Sequence, residues 1–138
     1  MPDYGISSNT SPEWRQVTIV DGSATTLFSV QLAAGEWCGG LVAFAVFASD
    51  GTDFQVISCF GTYAAENKAG TIVGQITYDT ANEAKAVSAG TLTLSFSDTD
   101  DTNVASFKLT PTGSLTETTY YVRYQIVSQF GNKVTTAV

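Results

Sequence analysis

The chain has 138 residues, a formal net charge of −7 and only 14% charged residues, against roughly 25% in ordinary soluble domains. That length suits one domain and is too short for two comparable cores. The six basic residues form no cluster, so we expect no nucleic acid partner, and no apolar stretch approaches the roughly 20 residues of a membrane helix, so we expect no membrane contact.

The first segment, residues 1–12, is polar and shows no hydrophobic period, and it contains Pro2 and Tyr4. We predict an extended N-terminal arm over residues 1–12, with a frayed terminus as the alternative, followed by a single domain over residues 13–138. The segment also lacks the positive charge and apolar run of a secretory signal. Unless a leader has been cut away, we therefore expect the protein to be made in the cytoplasm.

The remaining chain alternates short runs of Val, Thr, Phe, Tyr and Ile with Gly, Asp, Asn and Ser, which is typical of strands and turns. Residues 82–88 are the stretch that favours a helical turn, with a loop as the alternative. Eight or nine strands at this spacing predict an all-β fold, an antiparallel β-sandwich with a jelly-roll-like arrangement. The predicted strands are residues 16–20, 25–32, 41–49, 53–64, 71–78, 91–97, 104–110 and 119–130, with 133–138 as a candidate ninth.

Two Asp-Gly pairs, Asp21-Gly22 and Asp50-Gly51, supply the positive φ that tight hairpin turns require. Each pair lies between hydrophobic runs. We therefore predict that each joins two antiparallel neighbours.

The hairpin around Asp50-Gly51 is apolar on both faces. With a two-residue turn, Phe44 pairs with Ile57 on one face, and Phe47 pairs with Phe54 on the other. A strand pair in a sandwich normally buries only one face, so the second face needs a cover. We expect that cover to be another subunit, which predicts a homo-oligomer, a dimer or trimer; the alternative cover is the chain's own arm.

Two cysteines, Cys38 and Cys59, are too few for a disulfide scaffold. The two-residue turn places Cys59 opposite Val42, which is four residues from Cys38. That offset is about 14 Å at about 3.4 Å per residue, beyond the Cα separation of about 7 Å that a disulfide can span. We therefore expect two buried free thiols.

The last long strand, predicted over residues 119–130, alternates between two kinds of face. We expect its apolar face to meet the core and its other face to meet solvent. The core set is Tyr120, Val122, Tyr124 and Ile126, and the other set is Tyr121, Arg123, Gln125 and Val127.

The chain contains no histidine, which excludes Ser-His-Asp and Cys-His catalysis and the usual general base at neutral pH. It also contains no Gly-rich phosphate loop. Thirteen acidic residues offer carboxylate pairs for a glycoside hydrolase without singling out any pair. We therefore expect no enzymatic activity, no catalytic residue and no cofactor.

The densest acidic patch, residues 98–103, has the sequence DTDDTN. Carboxylates attract calcium, but Thr102 stands at the third ligand position of a calcium loop and Asn103 at the place of its glycine. We interpret the patch as a polar hairpin tip between strands that end at Ser97 and begin at Val104, with no metal bound.

Several aromatic residues are candidates for contact with sugars or protein partners. Trp37 lies in the glycine-flanked stretch 35–40, which we interpret as a connection that places the ring at a sheet edge. The candidate interface residues are Trp14, Trp37, Phe47, Phe54 and Tyr4.

Most of the chain, from about residue 17 to residue 130, resembles small β-rich accessory proteins of tailed bacteriophage virions. The resemblance lies in three phrases rich in Gly, Thr and Ser: SDGTDFQ at 49–55, ENKAGTIV at 66–73 and VSAGTLTLSF at 87–96. It implies a decoration or cement protein on the capsid exterior, which binds between subunits of the major capsid protein and stabilises the head. It transfers no catalytic residue. The alternative function is a receptor- or carbohydrate-binding module of a phage tail or bacterial surface.

Overall fold

The computed structural model describes residues 14–115 and 119–132. These residues form nine β-strands and one short 3₁₀ turn, Thr80–Asn82, which confirms the all-β prediction. None of them builds a helix with the length and hydropathy needed to cross a lipid bilayer. The strands are β1 (Arg15–Val20), β2 (Thr25–Gln31), β3 (Glu36–Ser49), β4 (Phe54–Asn67), β5 (Val73–Tyr78), β6 (Ala84–Val87), β7 (Leu92–Asp101), β8 (Val104–Gly113) and β9 (Thr119–Gly131).

The strands pair antiparallel in two sheets that form a sandwich. The larger sheet has the order β1-β9-β3-β4-β5, with β6 also paired to β4, and the smaller sheet has the order β2-β8-β7. The first three strands, β1, β2 and β3, alternate between the sheets, whereas β7 and β8 form a hairpin within the smaller sheet. The long hairpin of β3 and β4 instead stays within the larger sheet and makes it wide.

The core lies between the two sheets, and aromatic rings from both meet at its centre. The ring of Phe28 on β2 lies 5.0 Å from that of Phe107 on β8 and 5.0 Å from that of Tyr63 on β4. The Tyr63 hydroxyl accepts a hydrogen bond from the Gln129 side chain at 2.9 Å. The predicted alternation of β9 is confirmed, because its buried set is Tyr120, Val122, Tyr124 and Ile126.

One side of the sandwich is closed where β5 approaches β7. The Tyr78 hydroxyl donates to the carbonyl oxygen of Leu94 at 3.1 Å. The Gly74 amide donates to Asp100 Oδ1 at 3.2 Å. These bonds join the edges of the two sheets, so the larger sheet is held with one face on the core and the other turned outward.

The turn between β3 and β4 is a four-residue loop, so the prediction of a two-residue turn is wrong. Asp50 Oδ1 accepts hydrogen bonds from the amides of Asp53 at 2.8 Å and Thr52 at 3.0 Å, and these bonds lower the pKa of the Asp50 carboxyl. Ser49 therefore pairs with Phe54. The shift of two residues changes every predicted pair but keeps each side chain on its predicted face, because strand alternation has a period of two.

The corrected register separates the cysteines further. Phe44 pairs with Cys59 rather than with Ile57, so Cys59 lies six residues along β3 from the position of Cys38. Both cysteines are free and buried, as expected. Burial raises the pKa of the Cys38 thiol to about 11, and burial with the nearby Glu83 carboxylate raises that of Cys59 to about 12.

The turn at Asp21-Gly22 forms, but it does not join paired strands. Gly22 has a φ of +73°, and the Ser23 amide donates to the Val20 carbonyl at 3.0 Å. Because β1 and β2 belong to different sheets, the prediction of an antiparallel hairpin here is wrong. The Asp21 carboxylate instead accepts a hydrogen bond from the Gly113 amide at 2.8 Å, which ties the turn to β8.

Residues 82–88 contain a strand rather than the predicted helical turn or loop. Ala84–Val87 pairs with Gln55–Ser58, the part of β4 that β5 leaves free. Exposed backbone groups of β4 thus override the helix propensity of Ala and Lys. The predicted ninth strand at 133–138 and the arm at 1–12 lie outside the described residues.

Candidate functional site

The side of the larger sheet that is turned away from the core is apolar and exposed. We use the name outer face for the outward residues of β1 and β6, of β3 from Leu41 to Ser49, of β4 from Phe54 to Phe60, and of β9 from Thr119 to Val127. Phe60 is 64% exposed and Phe54 is 58% exposed, although both are large and hydrophobic. Monomeric proteins seldom expose many large apolar side chains in one contiguous patch, so the outer face is the candidate functional site. Its larger apolar members are Trp14, Val20, Leu41, Phe47, Phe54, Val56, Phe60, Tyr121 and Val127.

The strand register makes the apolar patch continuous. Phe47 on β3 pairs with Val56 on β4 and with Tyr121 on β9. The rings of Phe47 and Tyr121 stack, with centroids 5.5 Å apart and planes 22° apart. The predicted pairing of Phe47 with Phe54 is wrong, but both side chains lie on the outer face, as expected.

A groove of about 550 Å³ crosses the middle of the outer face. Small side chains line it on two neighbouring strands: Ala43 and Ala45 on β3, and Ser58 on β4. The rings of Trp14 and Phe60 border the same groove. The outer face therefore combines projecting rings with a recess that has room for a partner's side chain.

The outer face carries little charge. Arg123 is outward-facing on β9, and its guanidinium carbon lies 5.9 Å from the centre of the Trp14 ring, a cation–π arrangement. The outward positions of β3 from Leu41 to Ser49 and of β4 from Phe54 to Phe60 hold no acidic side chain. The described acidic residues, such as Asp98 and Asp100 on β7, lie outside the outer face.

Trp37 lies on the same side of the sheet, toward the beginning of β3. The prediction that it sits in a connection at a sheet edge is wrong, because β3 already begins at Glu36 and is a central strand. The glycines that suggested a loop serve close packing. A Cβ on Gly40 would lie 2.7 Å from the Tyr63 ring, and one on Gly39 would lie 3.0 Å from the Phe130 ring.

Trp37 borders a second groove, of about 390 Å³, which we call the Trp37 groove. Its lining includes the apolar residues Val73 and Phe130 and the polar residues Glu66 and Gln75. Trp37 itself is 39% exposed. The groove thus places an aromatic ring beside polar groups that can form hydrogen bonds.

Of the interface candidates from the sequence, Trp14, Phe47 and Phe54 lie together on the outer face, and Trp37 lies beside its own groove. Tyr4 lies outside the described residues. Val56 and Tyr121 also belong to the outer face but were not among the candidates. Strand alternation along β4 identifies Val56. Tyr121 is identified only by the pairing of β9 with β3, which depends on the fold.

The acidic patch at 98–103 is mostly strand, so the prediction of a hairpin tip over the whole patch is wrong. β7 continues through Asp101, and only Thr102 and Asn103 form the turn. Burial raises the pKa of the Asp98 carboxyl, and a hydrogen bond and charge repulsion from Asp100 raise it further. Within 14–115 and 119–132, no three His, Cys, Asp or Glu side chains come together as a metal site would require.

No protein-family model matches the chain, and no curated protein matches it with significance. Among solved structures, the chain is similar to the crystal structure of the Acinetobacter baumannii phage AM24 tailspike protein, with 9% sequence identity and a TM-score of 0.47. The match covers 88% of this chain and 28% of the tailspike chain. The chain therefore spans only a little over a quarter of that protein.

Proposed function

We propose that the protein is a structural component of a tailed-phage virion. More specifically, we propose a decoration protein on the capsid exterior that binds between subunits of the major capsid protein and stabilises the head. The observation that carries the proposal is the Trp37 groove, because an exposed aromatic ring beside an apolar recess is typical of a surface that contacts another protein. The resemblance of three Gly/Thr/Ser-rich phrases to phage accessory proteins supports the choice of a virion.

The chemistry of the chain supports action by binding rather than catalysis. The sequence offers no histidine as a general base. The Cys38 and Cys59 thiols, with pKa values of about 11 and 12, are poor nucleophiles near neutral pH, because the thiolate is the reactive form. Both thiols are also buried.

In the proposed role, the Trp37 groove contacts the capsid lattice. Aromatic rings such as Trp37 and Phe130 are favoured anchors at the centres of protein interfaces. Glu66 and Gln75 at the rim of the groove provide hydrogen-bonding groups for orientation. Separation of two capsid subunits bridged in this way would have to re-expose the buried apolar area, which is the physical basis of reinforcement.

Cryo-electron microscopy of phage heads assembled with and without the protein tests the proposal. We expect additional density at many equivalent positions of the capsid lattice, present only in particles that contain the protein. Trp37→Ala should reduce occupancy at those positions, whereas Thr93→Ala, an exposed change on the smaller sheet, should not. Heads that show no added density when saturated with protein would refute the decoration role.

A second candidate function is a receptor- or carbohydrate-binding module, and the composition of the Trp37 groove favours it. Sugars stack on exposed aromatic rings and hydrogen-bond to adjacent carboxylates and amides, and Trp37, Glu66 and Gln75 supply these groups. A glycan array followed by calorimetry tests this function. Saturable binding that Trp37→Ala abolishes would favour a carbohydrate module over a decoration protein.

A further inference from the structure

We propose that the outer face is the contact surface of a two-fold symmetric homodimer, in which a second copy of this chain covers the groove lined by Ala43, Ala45 and Ser58. The inference deepens the proposed function, since the dimer is the unit that we expect to dock on the capsid. It leaves the Trp37 groove free for that docking. The dimer itself can be tested without any virion.

The area of the outer face is close to what a stable dimer needs. Five strands, β1, β9, β3, β4 and β6, at about 4.8 Å spacing make a face roughly 24 Å wide. The part of β3 from Leu41 to Ser49 adds a length of about 30 Å at about 3.4 Å per residue. The resulting flat area of roughly 700 Å² per copy compares with about 800 Å² per partner in a standard specific interface.

The chemical character of the outer face is that of a permanent contact. Interfaces of homodimers are more apolar than those of transient complexes, and their centres are depleted of charge. Phe47, Phe54 and Phe60 contribute apolar area, and Arg123 is already engaged with the Trp14 ring. Two copies that each carry a net charge of −7 repel one another, and a face without acidic side chains is where they can approach at least electrostatic cost.

The shape of the outer face is suited to contact with its own copy. Phe60 projects from β4 beside the groove, and the groove is lined by small side chains of β3 and β4. In a two-fold contact, each surface meets an identical one, so the Phe60 ring of each protomer can enter the groove of the other. Sheets that pack face to face lie about 10 Å apart and interdigitate their side chains in this manner.

A second copy fits the outer face better than the other two available covers. Residues 1–12, even if fully extended, would be one strand wide, about 5 Å, and so could not cover a face about 24 Å wide. A capsid lattice would cover the face only after the chain has docked on it. A second copy, in contrast, is present wherever the chain is synthesised, so it can protect the apolar face from the start.

Sedimentation velocity of the full chain between about 1 and 100 μM measures the dimerisation directly. We expect a reversible dimer that Phe60→Asp weakens at least about 30-fold, as expected for a hot-spot residue at an interface centre. The matched control is Ser95→Asp, which places the same charge at an exposed position on β7 of the smaller sheet and should leave the dimer unchanged. Circular dichroism and thermal unfolding of each variant at low concentration establish that both are folded.

Three results would overturn the dimer. The first is a wild-type chain that stays monomeric at about 100 μM. If such a chain dimerised once residues 1–12 were removed, the arm would be identified as the cover. The second is a dimer that Phe60→Asp leaves intact, and the third is a trimer. A monomer that nevertheless decorates capsids would refute the dimer but keep the proposed function. A dimer that does not bind capsids would refute the proposed function but keep the dimer.

Discussion

Replacement of Phe107 by alanine should cost the fold more than removal of any ring on the outer face. Phe107 is fully buried, and its ring lies 5.0 Å from Phe28 and 5.4 Å from Tyr63. Buried Phe→Ala changes cost about 3–5 kcal/mol, and each aromatic pair adds about 0.5–1.5 kcal/mol beyond burial. Because Tyr63 belongs to the opposite sheet, the change also removes a contact that joins the two sheets. We therefore expect a loss near the upper end, about 4–5 kcal/mol.

Urea denaturation followed by tryptophan fluorescence measures this loss. Whole domains are stable by about 5–15 kcal/mol, so the variant should remain folded in the absence of urea but unfold at a much lower urea concentration. Phe60→Ala is the matched control, because it removes the same ring from a position that is 64% exposed. Measured on dilute protein, to separate folding from self-association, it should cost no more than about 1 kcal/mol.

The reasoning would be refuted if Phe107→Ala cost less than about 2 kcal/mol, or no more than Phe60→Ala. Either result would mean that the two sheets do not meet at this aromatic centre. A large loss with Phe60→Ala in dilute protein would instead show that the outer face is already covered within one chain.

Three further outcomes follow from buried and crowded groups. With thiol pKa values of about 11 and 12, Cys38 and Cys59 should react with Ellman's reagent at least about 100-fold more slowly in the native protein than in denaturant, and equal rates would contradict their burial. The raised pKa of Asp98 means that its protonated form stabilises the fold; this stability is complete below the unfolded pKa of about 4 and is lost as pH rises through the higher folded pKa. Asp98→Asn should therefore raise the midpoint of thermal unfolding near neutral pH and have little effect at about pH 3, and an equal effect at both pH values would exclude this cause. Gly40→Ala should prevent folding or lower the midpoint of thermal unfolding sharply, because the new methyl group would meet the Tyr63 ring and the Ser128 carbonyl in the adjacent strand. Native-like circular dichroism with an unchanged midpoint would show that the strands can separate there.

Local sequence was sufficient for most of the strands and for their faces. Alternation along 119–130 identified the buried side of β9 before any pairing was known, because side chains in a strand point alternately to opposite faces. The same period of two placed Phe47 and Phe54 on one side of the hairpin despite the wrong turn length. The excess of apolar residues on that side was also visible in the sequence, and it led to the candidate site.

Local sequence predicted the pairing of β3 with β4 and of β7 with β8, each across one turn, but not the pairing of strands that are distant in the chain. Asp21-Gly22 has the composition of a hairpin turn, yet it carries the chain from one sheet to the other. Its composition does not distinguish the two cases, because the turn has the same local conformation in both. Residues 84–87 favour a helix when isolated, and only the free edge of β4 makes them a strand. The glycines around Trp37 suggest a loop until the packing of Tyr63 and Phe130 against them is known.

By itself, the sequence indicated an all-β fold, contained no imidazole and showed one hairpin that is apolar on both faces. Composition and period depend only on the residues themselves, so they can be read without the fold. The tertiary structure alone decided which strands distant in the chain are neighbours, and thereby gathered residues from β1, β9, β3, β4 and β6 into one outer face. Such a surface exists only through contacts between residues that are distant in the chain. A short stretch of sequence does not specify which distant stretch it will contact.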